Sequence, residues 1–188
     1  MNSLNKTNNK LYIFLMLILF TSTFTLNFCN KISSCALVFT IIAFTSNVLS
    51  EFYSRKIAVL GIFLSSIISF CLLWNFDYTL NRAVINGVVL MSLVSVFISA
   101  YIGTGILKTN TNLNFHKRNL ISFISYAFVD GIVMSGFFMN KFSSHKILTI
   151  FSKEIFFKLA YFSIAYIAIF ITSNIYQHMN NKANPLIS

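Results

Sequence analysis

The sequence predicts an all-α membrane protein, a single domain over residues 1–188 built as a bundle of about six transmembrane helices. Three observations carry the prediction. Of the 188 residues, 56% are hydrophobic and only 10% charged, where an ordinary soluble domain has roughly a quarter charged. The apolar residues gather into six runs, each near the ~20 residues a helix needs to cross ~30 Å of hydrocarbon. Within each run they are continuous, whereas a membrane barrel needs segments of about ten residues alternating polar and apolar. A soluble core cannot absorb this surface, and exposing the excess to water would create patches larger than soluble monomers carry.

In chain order, the first span is 11–28, entered after Lys6 and Lys10. It resembles a signal peptide in its basic flank, but no small-x-small cleavage pattern follows, so it reads as a retained helix. The second is 34–50, ending at Glu51, and the third is 57–74, beginning after Arg55 and Lys56. The fourth is 83–107, the fifth 119–140 and the sixth 155–176. Connections are short, and the only proline, Pro185, lies in the polar tail. Gly61, Ser65 and Ser69 on the third span, and Ser95, Ser99 and Gly103 on the fourth, recur every four residues. Such faces let helices approach closely in lipid, so packing is favoured over a substrate path.

Cations set the orientation. With the N-terminus inside, the inner segments hold Lys6, Lys10, Arg55, Lys56, Lys108, Lys117, Arg118 and Lys182, and the outer ones Lys31, Arg82, Lys141, Lys146, Lys153 and Lys158. Eight against six favours cytoplasmic N- and C-termini. The net charge of +10 is scattered between apolar runs, which argues against a nucleic-acid partner and suits anionic lipid head groups. An AT-rich coding composition accounts for part of the same excess. Cys29, Cys35 and Cys71 have neither disulfide nor metal-site spacing and read as packing residues. No metal or cofactor is expected. His116, His145 and His178 fall at or beyond membrane edges without zinc-ligand spacing, and no nucleophile motif accompanies them, so catalysis is not expected.

Four acidic residues occur in the chain, and an unpaired carboxylate in hydrocarbon costs at least ~2.5 kcal/mol. Asp130 is the outlier, near the middle of the fifth span. Phe123, Tyr126, Ala127, Val133, Met134 and Phe137 recur at helical spacing on its side. An acid among aromatic rings suits a flat heterocycle carrying N–H donors. The bland alternative is an ion pair, for instance with Lys158, that locks two helices together; acids inside membranes tend to mark substrate or proton paths, which favours the first reading. Asn47 and Glu51, four residues apart, put an amide and a carboxylate on one face. Glu51 is equally well explained as an interfacial residue neutralised by Arg55, and spacing alone does not separate these. Lys158 follows Glu154 by four residues, the order of a helical surface ion pair, and its stem is long enough to turn inward instead.

Ser46, Asn47, Glu51, Tyr53, Lys56 and Ala58 resemble the signature of the queuosine precursor transporter family, also described as a vitamin uptake transporter family, with Ser54 where that family has glycine. Two further places agree: 125–137, with Asp130 matching an intramembrane acid, and Phe157-Lys158 at the last helix. The order and spacing of the pieces match, and the six-span layout covers nearly the whole chain. The resemblance implies a fold similar to the substrate-binding subunits of energy-coupling-factor transporters. It also implies uptake of 7-deazaguanine compounds, precursors of the modified tRNA base queuosine, across the bacterial inner membrane. The resulting expectation is a carrier for a small heterocyclic substrate in which Asn47, Glu51, Asp130 and Lys158 converge between helices and Phe123, Tyr126 and Phe137 stack on the base. The alternatives are a binding subunit that needs an ATP-driven energy-coupling partner, with homo-oligomer formation also open, and a non-transporting structural membrane protein.

Overall fold

A computed structural model describes residues 2–76, 78–80, 83–109 and 112–183, with side chains described between Asn9 and Ile167 except over 77, 79–84 and 110–111. Arg82 and Pro185, and the side chains of Lys6, Lys182 and His178, lie outside the described residues. Among the described residues, six helices follow one another: α1 (Asn2–Leu26), α2 (Ile32–Phe52), α3 (Arg55–Leu72), α4 (Val88–Thr109), α5 (Phe115–Phe138) and α6 (Ser144–Ala183). Among the described residues, five helices are long and apolar enough to cross a membrane, α1 through its stretch Asn9–Leu26 and α2 to α5 over their full lengths. The chain is therefore a multi-pass helical membrane protein. Its outer surface fits that solvent: Leu60, Phe63, Leu64, Ile67, Ile68 and Leu72 on α3 and Ile13, Phe14 and Leu17 on α1 are exposed.

The helix ends have local causes. Past Leu26, the Asn27, Phe28 and Cys29 amides each donate to the carbonyl three residues back, closing α1 in a tightened turn. The Asn27 side-chain amide donates to the Thr23 carbonyl. Ser54 caps α3 by accepting from the Ile57 amide at 3.3 Å. Its φ of 174° is extended backbone that any residue adopts, so serine serves where the resembled family carries glycine. The predicted fourth span began at residue 83, but Ala83–Val84 is β2, paired antiparallel with β1 (Thr79–Leu80) in the register Thr79 with Val84 and Leu80 with Ala83. Gly87 then turns the chain at φ +83°, a left-handed conformation that favours glycine, and α4 begins one residue later.

α2 is the central helix and packs on all five others. Its buried hydroxyls would lack water in lipid, so Thr40 and Ser46 donate to the carbonyls of Ala36 and Ile42, one turn back. Its Phe39, Ile42 and Leu49 join Leu19, Ile62, Val96, Phe123 and Phe162 from the other helices in the apolar core.

Both small-residue series are helix contacts. A Cβ on Gly61 would meet the flexible Met16 thioether of α1 at 2.9 Å, whereas one on Gly103 would lie 2.1 Å from Cδ2 of the Tyr126 ring on α5. A planar buried ring has nowhere to retreat, and overpacking costs ~1–3 kcal/mol. Gly103→Ala is therefore expected to lower the thermal midpoint in detergent clearly, while Gly61→Ala leaves it nearly unchanged. Equal midpoints would show that α4 and α5 are not in contact at Gly103.

α5 and α6 run antiparallel in one continuous register. His116 meets Tyr166, Phe123 stacks on Phe162, Asp130 pairs with Lys158, and Gly131 lies against Phe151 and Ile155. The predicted sixth span, 155–176, lies within α6, and among the described residues the contact with α5 already begins ahead of it, at Phe151.

Candidate functional site

Among the described residues, three polar clusters are spaced along the bundle. At the end formed by the α2–α3 and α4–α5 turns, Glu51 accepts from both terminal guanidinium nitrogens of Arg118, at 2.8 and 3.3 Å, and from Lys108 at 3.1 Å. The bond tethers α2 to α4 and α5. One turn deeper on α2, the Asn47 amide donates to Asn119 Oδ1 at 2.6 Å. The Ser122 hydroxyl lies 3.1 Å from Asn47 Oδ1 and 2.7 Å from the Gly103 carbonyl.

The third cluster holds the most deeply buried charges. Lys158, 1% exposed, donates to Asp130 Oδ2 and to Glu154 Oε1, the latter at 2.6 Å. Ser95 on α4 donates to Asp130 Oδ1 at 2.5 Å. The Lys158 ammonium also sits 4.0 Å from the centroid of the Phe39 ring on α2. Four helices thus contribute to one site. The Asp130 side chain is 7% exposed and Glu154 16%. With all three groups ionised, one ammonium faces two carboxylates, a formal excess of −1. Burial makes such an imbalance costly unless a cation, a proton or N–H donors complete it.

These carboxylates border a cavity of about 510 Å³ that opens at the other end of the bundle, between the α1–α2, α3–α4 and α5–α6 connections. Glu154 follows Lys146 at the mouth by eight residues, so the acids lie about 12 Å down the helix axis. Phe39, Phe138, Phe142 and Phe157 supply aromatic walls, with Met134 and Ile150 between them. At the rim, the Tyr78 hydroxyl donates to the Cys29 carbonyl at 3.1 Å, pinning the α3–α4 connection to the α1–α2 turn. Burial pushes the Tyr78 phenol up to about 12, helped by the neighbouring Cys35 and Cys29.

The residues expected to converge do not all do so. Asp130 and Lys158 come together, and Asp130 borders the cavity. Asn47 and Glu51 belong to the two other clusters; Asn119, Ser122, Lys108 and Arg118 absorb their polar groups. Arg55 does not neutralise Glu51, because its guanidinium lies over the Tyr101 ring and donates to the Tyr101 carbonyl. Phe123 is stacked on Phe162 at 3.9 Å in the core, and Tyr126 is wedged between Gly103 and Phe39. Phe137 faces Gly87 and the Lys141 ammonium. One residue is about 100° of rotation on a helix, so the cavity-lining series on α5 is Asp130, Met134 and Phe138.

Sequence reasoning assigned Glu154 to a surface pair, since spacing of four residues does not report burial. Phe39 and Tyr78 had no signal at all: an aromatic inside an apolar run looks like any other lipid-facing or core residue. Because Glu51 is about a quarter exposed, Glu51→Gln is expected to cost only about 1 kcal/mol of stability. It should leave ligand affinity at the Asp130 cavity unchanged; a tenfold loss of affinity would place Glu51 back in the binding site. No protein-family model, curated protein or solved structure matches the chain.

Proposed function

We propose that the chain is a carrier of the bacterial inner membrane that takes up a small planar heterocycle bearing N–H donors, of the 7-deazaguanine class used to make queuosine. The observation that carries the reading is the aromatic-walled cavity that ends on Asp130 and Glu154. A buried site with one more carboxylate than ammonium is matched by a ligand that donates hydrogen bonds, and a flat base offers faces to Phe138 and Phe157. Lys158 donates to both acids and so fixes their geometry, and Ser95 orients Asp130. The signature around Ser46 to Ala58 supports the family. Asn47 and Glu51 then serve as struts of the α2–α4–α5 contact.

On this reading α6 is the sixth crossing. It runs beside α5 through the same layer, and Glu154 and Lys158 turn toward the cavity and Asp130 instead of lipid. The cations favour a cytoplasmic N-terminus: Lys10, Arg55, Lys56, Lys108, Lys117 and Arg118 lie at the α2–α3 end, against Lys31, Lys141, Lys146 and Lys153 toward the cavity end. The cavity then faces outward. A carboxylate that accepts a proton on ligand release gives a route to proton coupling.

The test is rescue of tRNA queuosine in a bacterium deprived of both its own synthesis and its own importer. Restored modification at low external precursor is the expected result. No rescue despite confirmed membrane insertion would defeat the proposal for this substrate class, and flux that requires an added ATP-driven complex would make the chain a dependent binding subunit.

A further inference from the structure

A second concavity lies on the opposite half of the molecule, away from the Asp130 cavity. Its volume is about 520 Å³, and it runs between α3 and α4, lined by Arg55, Lys56, Leu60, Phe63, Phe97 and Tyr101 among others. Arg55 and Lys56 open α3 directly after the Ser54 cap. Neither has an acidic partner among the described residues. Arg55 is held in place by the Tyr101 ring, 4.7 Å away, and by the Tyr101 carbonyl at 3.1 Å, both uncharged. Lys56 is exposed and forms no ion pair. Glu51, the carboxylate at this end, is already shared by Lys108 and Arg118.

Two adjacent cations without a counter-charge, at the positive end of an 18-residue helix, form a place for a phosphate. Beneath them the walls are apolar. Phe63 lies seven residues beyond Lys56, about 10 Å down the α3 axis, and Leu60, Phe63 and Tyr101 are 55%, 44% and 52% exposed toward the surrounding hydrocarbon. A soluble anion would answer the charges but leave the trough unfilled. A neutral lipid would fill the trough but leave the cations without an added counter-charge. We infer that the α3–α4 groove holds one anionic phospholipid, its phosphate on Arg55 and Lys56 and an acyl chain along Leu60, Phe63 and Phe97. The site is independent of the transport proposal, since it shares no residue with the Asp130 cavity.

The purified full chain, delipidated in detergent and mixed with phosphatidylglycerol and phosphatidylcholine, is assayed by native mass spectrometry. The wild type is expected to retain one phosphatidylglycerol. Lys56→Gln should lower that retention about fivefold, the equivalent of one interfacial charge. Lys117→Gln, an exposed cation at the same end, should not. Leu60→Trp fills the trough with both charges intact and should also expel the lipid. Equal losses from Lys56→Gln and Lys117→Gln would overturn the inference. So would full retention in Leu60→Trp, or displacement of the lipid by inorganic phosphate alone, which would reveal a free-anion site.

Discussion

Lys158→Met is expected to be the most destabilising single substitution in the chain, lowering the stability of the folded bundle by about 3–5 kcal/mol. The lysine is 1% exposed and is the cation between Asp130 and Glu154. Without it, two carboxylates face each other in a buried site, and at least one must take up a proton. The loss should appear as a large drop in thermal midpoint in detergent. Removing the acids as well tests the cause. The triple variant Asp130→Asn, Glu154→Gln, Lys158→Met carries no buried charge, and exchanging a buried ionic cluster for neutral groups is often neutral or stabilising. Its midpoint should recover to near that of the wild type. If Lys158→Met alone melts like the wild type, the ion pairs do not hold the helices together.

Asp130→Asn is expected to behave in the opposite way, with folding kept and function lost. Lys158 still pairs with Glu154, so the remaining charges balance, and the asparagine carbonyl can accept from Ser95 in place of the carboxylate. The ligand, however, loses its ionised acceptor. A hydrogen bond to a charged group contributes ~1.5–3 kcal/mol, so affinity for a 7-deazaguanine base should fall roughly 10- to 100-fold, and uptake with it. Membrane insertion and thermal midpoint should change little. Unaltered uptake by this variant would remove Asp130 from the transport path and leave the bland alternative, an ion pair that only joins α5 to α6.

Apolar length encodes where helices form but not which way their faces turn. Five helices are legible because continuous apolar runs of that length have no other stable form in lipid. The hairpin at Thr79–Leu80 and Ala83–Val84 was not, since its residues are compatible with a helix and only the left-handed Gly87 marks the break. Asp130 was visible as a lone charge within hydrocarbon. Glu154 and Lys158 are visible as a helical pair, and Lys158 is expected beside Asp130 but Glu154 is not, because inward- and outward-facing charges look the same in one dimension. The predicted sixth span, 155–176, lies within α6, and the helical residues ahead of it look like a loop because Lys146, Lys153 and Glu154 are charged, although Glu154 is turned toward Lys158. The aromatic assignments failed for a different reason. Phe123 and Tyr126 share a helix with Asp130, but helix-to-helix contacts decide which faces meet a cavity and which fill the core.

The central claim is that a ligand completes the charge of the Asp130–Glu154–Lys158 cluster. Equilibrium binding of a radiolabelled 7-deazaguanine base to the purified chain in lipid nanodiscs measures this directly, with the charge-free triple variant alongside. Saturable binding to the wild type, absent from a triple variant that melts normally, is the predicted result. Binding of the same strength to both proteins, or to neither, would contradict it.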